Sequence, residues 1–206
     1  MTSRQYWENV HATRPVDEVS WFQRHAASSL RLIREAGVAR SAPIIDIGGG
    51  ASVLVDDLLA DGYSDVCVLD FSATALAHSR SRLGSRAADV RWIEADVVTT
   101  SLPANAYEIW HDRAAFHFLT AENERDAYRR CAARAIRSGG YLIIATFAED
   151  GPERCSGLPV VRYDAQALSN AVGDEFTLAH HEYELHRTPG GATQRFLLAS
   201  FRKMAA

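Results

Sequence analysis

The chain has 206 residues, 47 % hydrophobic and 23 % charged, with a formal net charge of -4. This mixture predicts one packed domain and excludes a disordered or fibrous chain, and the acidic balance leaves no cationic excess for a nucleic acid backbone. No apolar run approaches the ~20 residues that cross a bilayer, and the opening M-T-S-R-Q-Y-W-E lacks the apolar segment of a secretion signal, so a soluble cytoplasmic protein is expected.

In chain order, residues 1–15 form a polar arm without clear periodicity that carries Tyr6 and Trp7. Over residues 16–36 apolar side chains recur at Val19, Phe22, Ala26, Leu30 and Ile33, a spacing that predicts one long amphipathic helix ended by Gly37. After Pro43 the short β-branched run 44–47 reads as a strand buried on both faces. Alternation follows: helix 52–61, strand 65–69, helix 73–83 capped by Ser72, strand 90–94, strand 106–110 and helix 122–136. The turn Ser138-Gly139-Gly140 leads into a strand over 141–147. A short helix at 165–172 precedes two strand-like segments, 176–187 and 193–202, around T-P-G-G-A. The pattern predicts an α/β fold, a doubly wound, mostly parallel seven-stranded sheet with helices on both faces and a C-terminal antiparallel hairpin.

Two of the strands end on an acid: I-I-D-I-G-G-G places Asp46 before Gly48, Gly49 and Gly50, and V-C-V-L-D ends on Asp70. In such a sheet ligands lie beyond the carboxyl ends of the central strands, where the crossover direction reverses. Glycine after the first strand lets the backbone approach a ligand, and the next helix presents free N–H groups. A carboxylate ending the second strand can accept from both hydroxyls of a ribose, so the pattern predicts a nucleoside ligand. A nicotinamide dinucleotide fits less well, because the third glycine of G-x-G-x-x-G is missing after Gly50.

With these residues in place, the sequence resembles the class I S-adenosylmethionine-dependent methyltransferases, whose Rossmann-like fold matches the predicted sheet. I-I-D-I-G-G-G is similar to the first motif of that family and V-C-V-L-D to its second. R-W-I-E-A-D-V is similar to the third, Y-E-I-W-H-D-R-A-A-F-H-F-L to the fourth, and I-R-S-G-G-Y-L-I-I to the strand entry that follows. The resemblance implies S-adenosyl-L-methionine as cofactor, with Asp46, Gly48, Gly49 and Gly50 at its methionine end and Asp70 on the ribose. It places Phe71 and Ser72 beside the adenosine and Asp96 and Val97 on the adenine. Glu108 stands where the family commonly has Asp. The resemblance divides the single domain into an N-terminal lid and helix (1–40), a cofactor-binding core (41–150), and an acceptor loop, helix and hairpin (151–206). Tyr6 and Trp7, with Trp21 and Phe22, are the expected lid.

The acceptor is expected near His111, Asp112, Arg113 and His117, where a base and a cation would assist a nucleophile that loses a proton. The long loop after the fifth strand adds Arg154 and Cys155 as substrate-binding candidates. Cys67 and Cys131 read as core residues, no C-x-x-C pair occurs, and the spacing of His180, His181 and His186 forms no shared ligand set, so no metal is expected. The stretch H-D-R-A-A-F is similar to thiopurine and tellurite methyltransferases, and Y-W-E with D-I-G-G-G-A-S to small protein lysine methyltransferases. The lysine enzymes' acidic D-K-G motif is absent, so a small-molecule acceptor, a thiol or other soft nucleophile, is expected ahead of a protein lysine. A non-catalytic nucleoside-binding regulatory module is the alternative of another class. The sequence leaves the oligomeric state open.

Overall fold

The structure is a computed structural model that describes residues 3–205. Its seven-stranded sheet has the order β3-β2-β1-β4-β5-β9-β8. The strands are β1 Ile44–Ile47, β2 Val66–Asp70, β3 Val90–Glu94, β4 Tyr107–Arg113, β5 Ile136–Phe147, β8 Phe176–Arg187 and β9 Thr193–Lys203. The first five run parallel, and β9 enters antiparallel between β5 and β8. Helices α2 (Ala27–Glu35), α3 (Leu54–Ala60) and α4 (Ala73–Leu83) cover one face, burying Ile33, Leu58 and Leu76 against Ile44, Val68 and Ile109. Helices α5 (Glu122–Ala135) and α6 (Ala165–Val172) cover the other, burying Tyr128, Ala132 and Leu168 in a cluster with Ile45, Leu69 and Trp110. Burial on both faces is why β1 and β2 read as unbroken apolar runs up to their acids. No helix among the described residues is long and apolar enough to cross a membrane.

The N-terminal region departs from the expectation. The arm is itself a helix, α1 (Ser3–Thr13), and the long helix predicted over 16–36 is only its second half, α2. Between them the chain turns, with Glu18 N donating to Pro15 O and Phe22 N to Val19 O. Tertiary anchors hold α1 where its own periodicity is weak. The Glu8 carboxylate accepts from Ala73 N and Thr74 N at the start of α4, Arg4 pairs with Glu94, and the Tyr6 hydroxyl donates to Ser156 O. Ser156 lies in a small hairpin absent from the prediction, β6 (Arg154–Cys155) with β7 (Leu158–Pro159). Both residues of its turn, Ser156 and Gly157, have positive φ, so the loop after β5 is ordered in part by a two-residue turn.

Strand β4 runs three residues beyond the predicted end, to Arg113, and this decides where the fourth motif points. Side chains alternate along a strand, so His111 and Arg113 share one face and Asp112 takes the other. Asp112, fully buried toward α5, accepts from Ala115 N at 2.9 Å, Phe116 N at 3.1 Å and the Tyr128 hydroxyl at 2.8 Å. The same hydroxyl accepts from Trp110 Nε1 at 2.8 Å. Glu108 sits at the other end of β4 and pairs with Arg137 at 3.5 Å.

Replacing Tyr128 by Phe keeps the ring and removes the hydroxyl that joins the Trp110 and Asp112 side chains. The expected outcome is a loss of about 1–3 kcal/mol, seen as a lower urea midpoint with an unchanged slope. A midpoint equal to that of the wild type would show that water replaces the hydroxyl.

Candidate active site

The strand order reverses between β1 and β4, and a cavity of about 260 Å³ opens there beyond the carboxyl ends of β1, β2 and β4. One half is lined by Gly48, Leu69, Asp70, Phe71, Asp96 and Val97, the other by Trp7, Trp21, Phe22, His111, Arg113 and Cys155.

In the first half, Asp70 is 6 % exposed, and its oxygens accept from Gly50 N at 3.0 Å and Ser72 N at 2.8 Å. Burial pushes its carboxyl up to about 6, against the pull of those two N–H groups. Each oxygen retains a lone pair for a ligand in the cavity. The Asp96 carboxylate accepts from Val98 N at 2.9 Å, fixing the loop after β3. The three glycines play different parts. Gly48 lines the cavity, has φ +66°, and a Cβ there would fall 2.8 Å from Ala115 Cβ. Gly49 and Gly50 do not line it. A Cβ on Gly49 would overlap the Asp46 carboxylate, and one on Gly50 would lie 2.5 Å from both Asp70 Oδ2 and Ala75 Cβ. Two of the three glycines therefore make room for the acids, which corrects the expectation that all three face a ligand. Ser72 is likewise spent locally: fully buried, it caps α4 by accepting from Ala75 N at 3.1 Å.

Asp46 pairs in register with His111 across β1 and β4, so their side chains meet on one face. His111 Nδ1 lies 2.7 Å from Asp46 Oδ1, and its Nε2 lies 2.9 Å from the Ser29 hydroxyl on α2. Asp46 Oδ2 is buried without a hydrogen-bond partner. Arg113 extends between Glu184 of β8, 3.6 Å away, and the Phe196 ring of β9, 4.5 Å from the guanidinium carbon. Its Nη1 donates to Trp21 O at 3.4 Å, and its Nη2 is buried with no hydrogen-bond partner. Burial lowers its pKa, and Glu184 opposes that shift.

The structure brings together His111, Arg113 and Cys155 of the expected acceptor residues and separates the others. His117 is fully buried between Phe118 and Phe147, accepts weakly from Phe147 N at 3.4 Å, and is pushed by burial down to about 3. Asp112 faces α5, and Arg154 points outward and donates to Gly157 O at 2.8 Å. Cys155 lies in the wall, but burial pushes its thiol up to about 11, so it behaves as a small hydrophobe rather than a thiolate. Trp7 meets Trp21 and Phe118 edge to face at 5.5 Å and 5.2 Å and closes the cavity from above. Tyr6 lies beside Trp7 but bonds to the β6–β7 turn and does not line the cavity. Ser29 and His11 line the cavity without any motif that announced them, and Phe118 lines it from within the fourth motif without having been singled out.

Comparison with known proteins is consistent with this geometry. Residues 44–140 match the model of a methyltransferase domain. The eEF1A lysine and N-terminal methyltransferase of Danio rerio is 22 % identical over 152 residues, 72 % of this chain and 22 % of that protein. An uncharacterized methyltransferase of Mycobacterium bovis is 30 % identical over 104 residues, 50 % of each chain. The match therefore spans half the length of the mycobacterial relative and less of the zebrafish one. Among solved structures, the 1,6-didemethyltoxoflavin-N1-methyltransferase of Burkholderia thailandensis, with bound 1,6-didemethyltoxoflavin and S-adenosylhomocysteine, superposes with TM-score 0.70 at 19 % identity, covering 100 % of this chain and 92 % of that one. A structure described by the conversion of a disulfide bond into a thioacetal group in echinomycin biosynthesis superposes with TM-score 0.78 at 17 % identity, covering 98 % and 92 %. These likenesses show the fold.

Because a ribose would need Asp70 ionised, S-adenosylhomocysteine affinity is expected to be level well above pH 6 and to fall by about tenfold per unit as the pH drops below it. Asp70→Asn should bind more weakly at neutral pH and lose that dependence. Titration calorimetry across the range checks both, and a flat wild-type profile would contradict the role of Asp70.

Proposed function

We propose that this chain, whose residues 44–140 belong to the class I S-adenosylmethionine-dependent methyltransferases, transfers the methyl group of S-adenosylmethionine to a small-molecule acceptor, a thiol or another soft nucleophile. The cavity suits that cofactor. Asp70 offers two oxygens to a ribose, Phe71, Asp96 and Val97 border space for a base, and Gly48 lets the chain approach the amino acid end, while Asp46 lies behind the cavity wall. When bound, the cofactor supplies an electrophilic methyl carbon on a cationic sulfur.

The acceptor class rests on one observation: the far half of the cavity is walled by half-buried aromatic rings and carries a cation. Trp7, Trp21 and Phe118 reduce the water a nucleophile there can meet, which leaves it less solvated and more reactive. Arg113 lines this half with its Nη2 paired to Glu184 at 3.6 Å, and a thiolate drawn toward its guanidinium needs no strong base during transfer. A lysine side chain of a folded protein would have to pass α1, which Glu8, Arg4 and Tyr6 tie down, and would meet a guanidinium instead of a carboxylate. Both structural neighbours described above have small-molecule chemistry in their descriptions, which agrees with this choice. In this reading His117 holds the backbone at Phe147, Asp112 shapes the loop after β4, and neither takes part in transfer. The relation to the zebrafish enzyme favours a second reading, transfer to a protein lysine.

A screen with methyl-labelled cofactor against thiols, phenols, amines and lysate proteins separates the two. Label is expected in the thiol pool, and label confined to a protein band would overturn the small-molecule reading. Arg113→Ala should lower kcat/KM for the thiol by about 10- to 100-fold, the size of one lost charge-assisted contact, with homocysteine-product affinity nearly unchanged.

A further inference from the structure

The hydrogen-bonded chain Ser29–His111–Asp46 is not accounted for by cofactor binding or by Arg113. Its members come from α2, β4 and β1 and are 3 %, 2 % and 2 % exposed, yet Ser29 and His111 both line the cavity. The two contacts give a consistent direction when Asp46 is a carboxylate, which only accepts: the proton between His111 Nδ1 and Asp46 Oδ1, 2.7 Å apart, then belongs to Nδ1. Nε2 is then the acceptor, and the Ser29 hydroxyl donates to it across 2.9 Å. This leaves the lone pairs of Ser29 Oγ free to accept a proton from a group in the cavity.

We propose that Ser29, His111 and Asp46 form a proton relay that serves acceptors still carrying their proton, with Ser29 Oγ as the group that touches the acceptor. This rests on the methyl-transfer reading above and adds a substrate class to it: nucleophiles that are protonated at neutral pH, such as alkyl thiols. As the acceptor sulfur attacks the methyl carbon, the new S–C bond forms and the bond from that carbon to the cofactor sulfur breaks, leaving a neutral thioether. The acceptor's proton passes to Ser29 Oγ while the Ser29 proton passes to His111 Nε2. The imidazolium so formed is stabilised by Asp46 and later returns its proton to solvent, so one proton is released per transfer. Asp46 faces the imidazole across 2.7 Å, and Asp112 and Arg113 flank His111 along β4. Cys155, neutral at its raised pKa, adds no charge. A merely structural triad would tie α2 to the sheet and nothing more.

The test compares Ser29→Ala with the wild type on two thiols, benzyl mercaptan, protonated at neutral pH, and 4-nitrothiophenol, ionised there. At neutral pH the variant should lose about 100-fold in kcat/KM on benzyl mercaptan, in the range of a lost general base, and little on 4-nitrothiophenol. The loss should shrink as the pH rises through the pKa of benzyl mercaptan, while S-adenosylhomocysteine affinity stays near wild type and the thermal midpoint falls by only a few degrees, the same for either thiol. Equal losses on both thiols, or none on benzyl mercaptan, would overturn the relay and leave a structural staple. Independently of activity, ¹⁵N NMR of the wild-type protein should find His111 as the Nδ1–H tautomer; the Nε2–H tautomer overturns the relay. If the wild type methylates neither thiol although it binds the cofactor product, the thiol-transfer reading fails by itself, and the tautomer still decides whether the relay geometry holds.

Discussion

Two buried carboxylates at the carboxyl ends of adjacent parallel strands are the constraint on which the rest of the site depends. Asp46 and Asp70 stand where charge is costly, and burial raises Asp70 to about 6. The chain compensates with local N–H groups and with a turn that has no side chains to collide with them. Gly50 and Ser72 donate to Asp70, while Gly49 and Gly50 leave the volume that the two carboxylates fill. The glycine run is therefore as much a packing solution for the acids as an opening for a ligand. Gly48, with its left-handed backbone and its place in the cavity wall, provides the opening, and a Cβ there would meet Ala115 and neither acid.

From that corner the two halves of the cavity diverge in character. Toward β2 and β3 it is polar and shaped for a nucleoside. Toward β4 and α1 it is aromatic, with Arg113 buried between Glu184 and Phe196. Strand alternation creates this contrast, because it sends His111 and Arg113 to the cavity and Asp112 to the Trp110–Tyr128 network behind it. A cofactor that brings its own electrophile asks first for position and limited water, which an aromatic wall favours.

The sheet was legible in the sequence because its signals are local. β-branched runs, the Ser72 cap and the Pro-Gly-Gly turn each specify their own element, and β1, α4, β3 and α6 fall where they were expected. The N-terminal region was not, because its structure comes from distant partners. The apolar spacing through Val19 and Phe22 reflects side chains that line a cavity from a turn, and α1 is held by Glu8 on α4 and Tyr6 on the β6–β7 turn. In the site, Asp70, Phe71, Asp96 and Val97 were marked by motif, and the structure gathers them around one cavity. Ser29 carried no mark, since only the register of β1 with β4 and the placement of α2 bring it to His111. His117 and Arg154 looked available in one dimension and are turned away from the cavity in three.

The most direct test of the whole account is a crystal structure of the protein with S-adenosylhomocysteine. The ribose hydroxyls should rest on Asp70, the adenine between Phe71 and Val97, and the amino acid end over Gly48 near Asp46. The thioether sulfur should then face the space between Trp21 and Arg113. Density for the nucleoside in the reverse orientation, with adenine against Arg113, or a ligand bound elsewhere with the cavity filled by solvent, would contradict the account at its root.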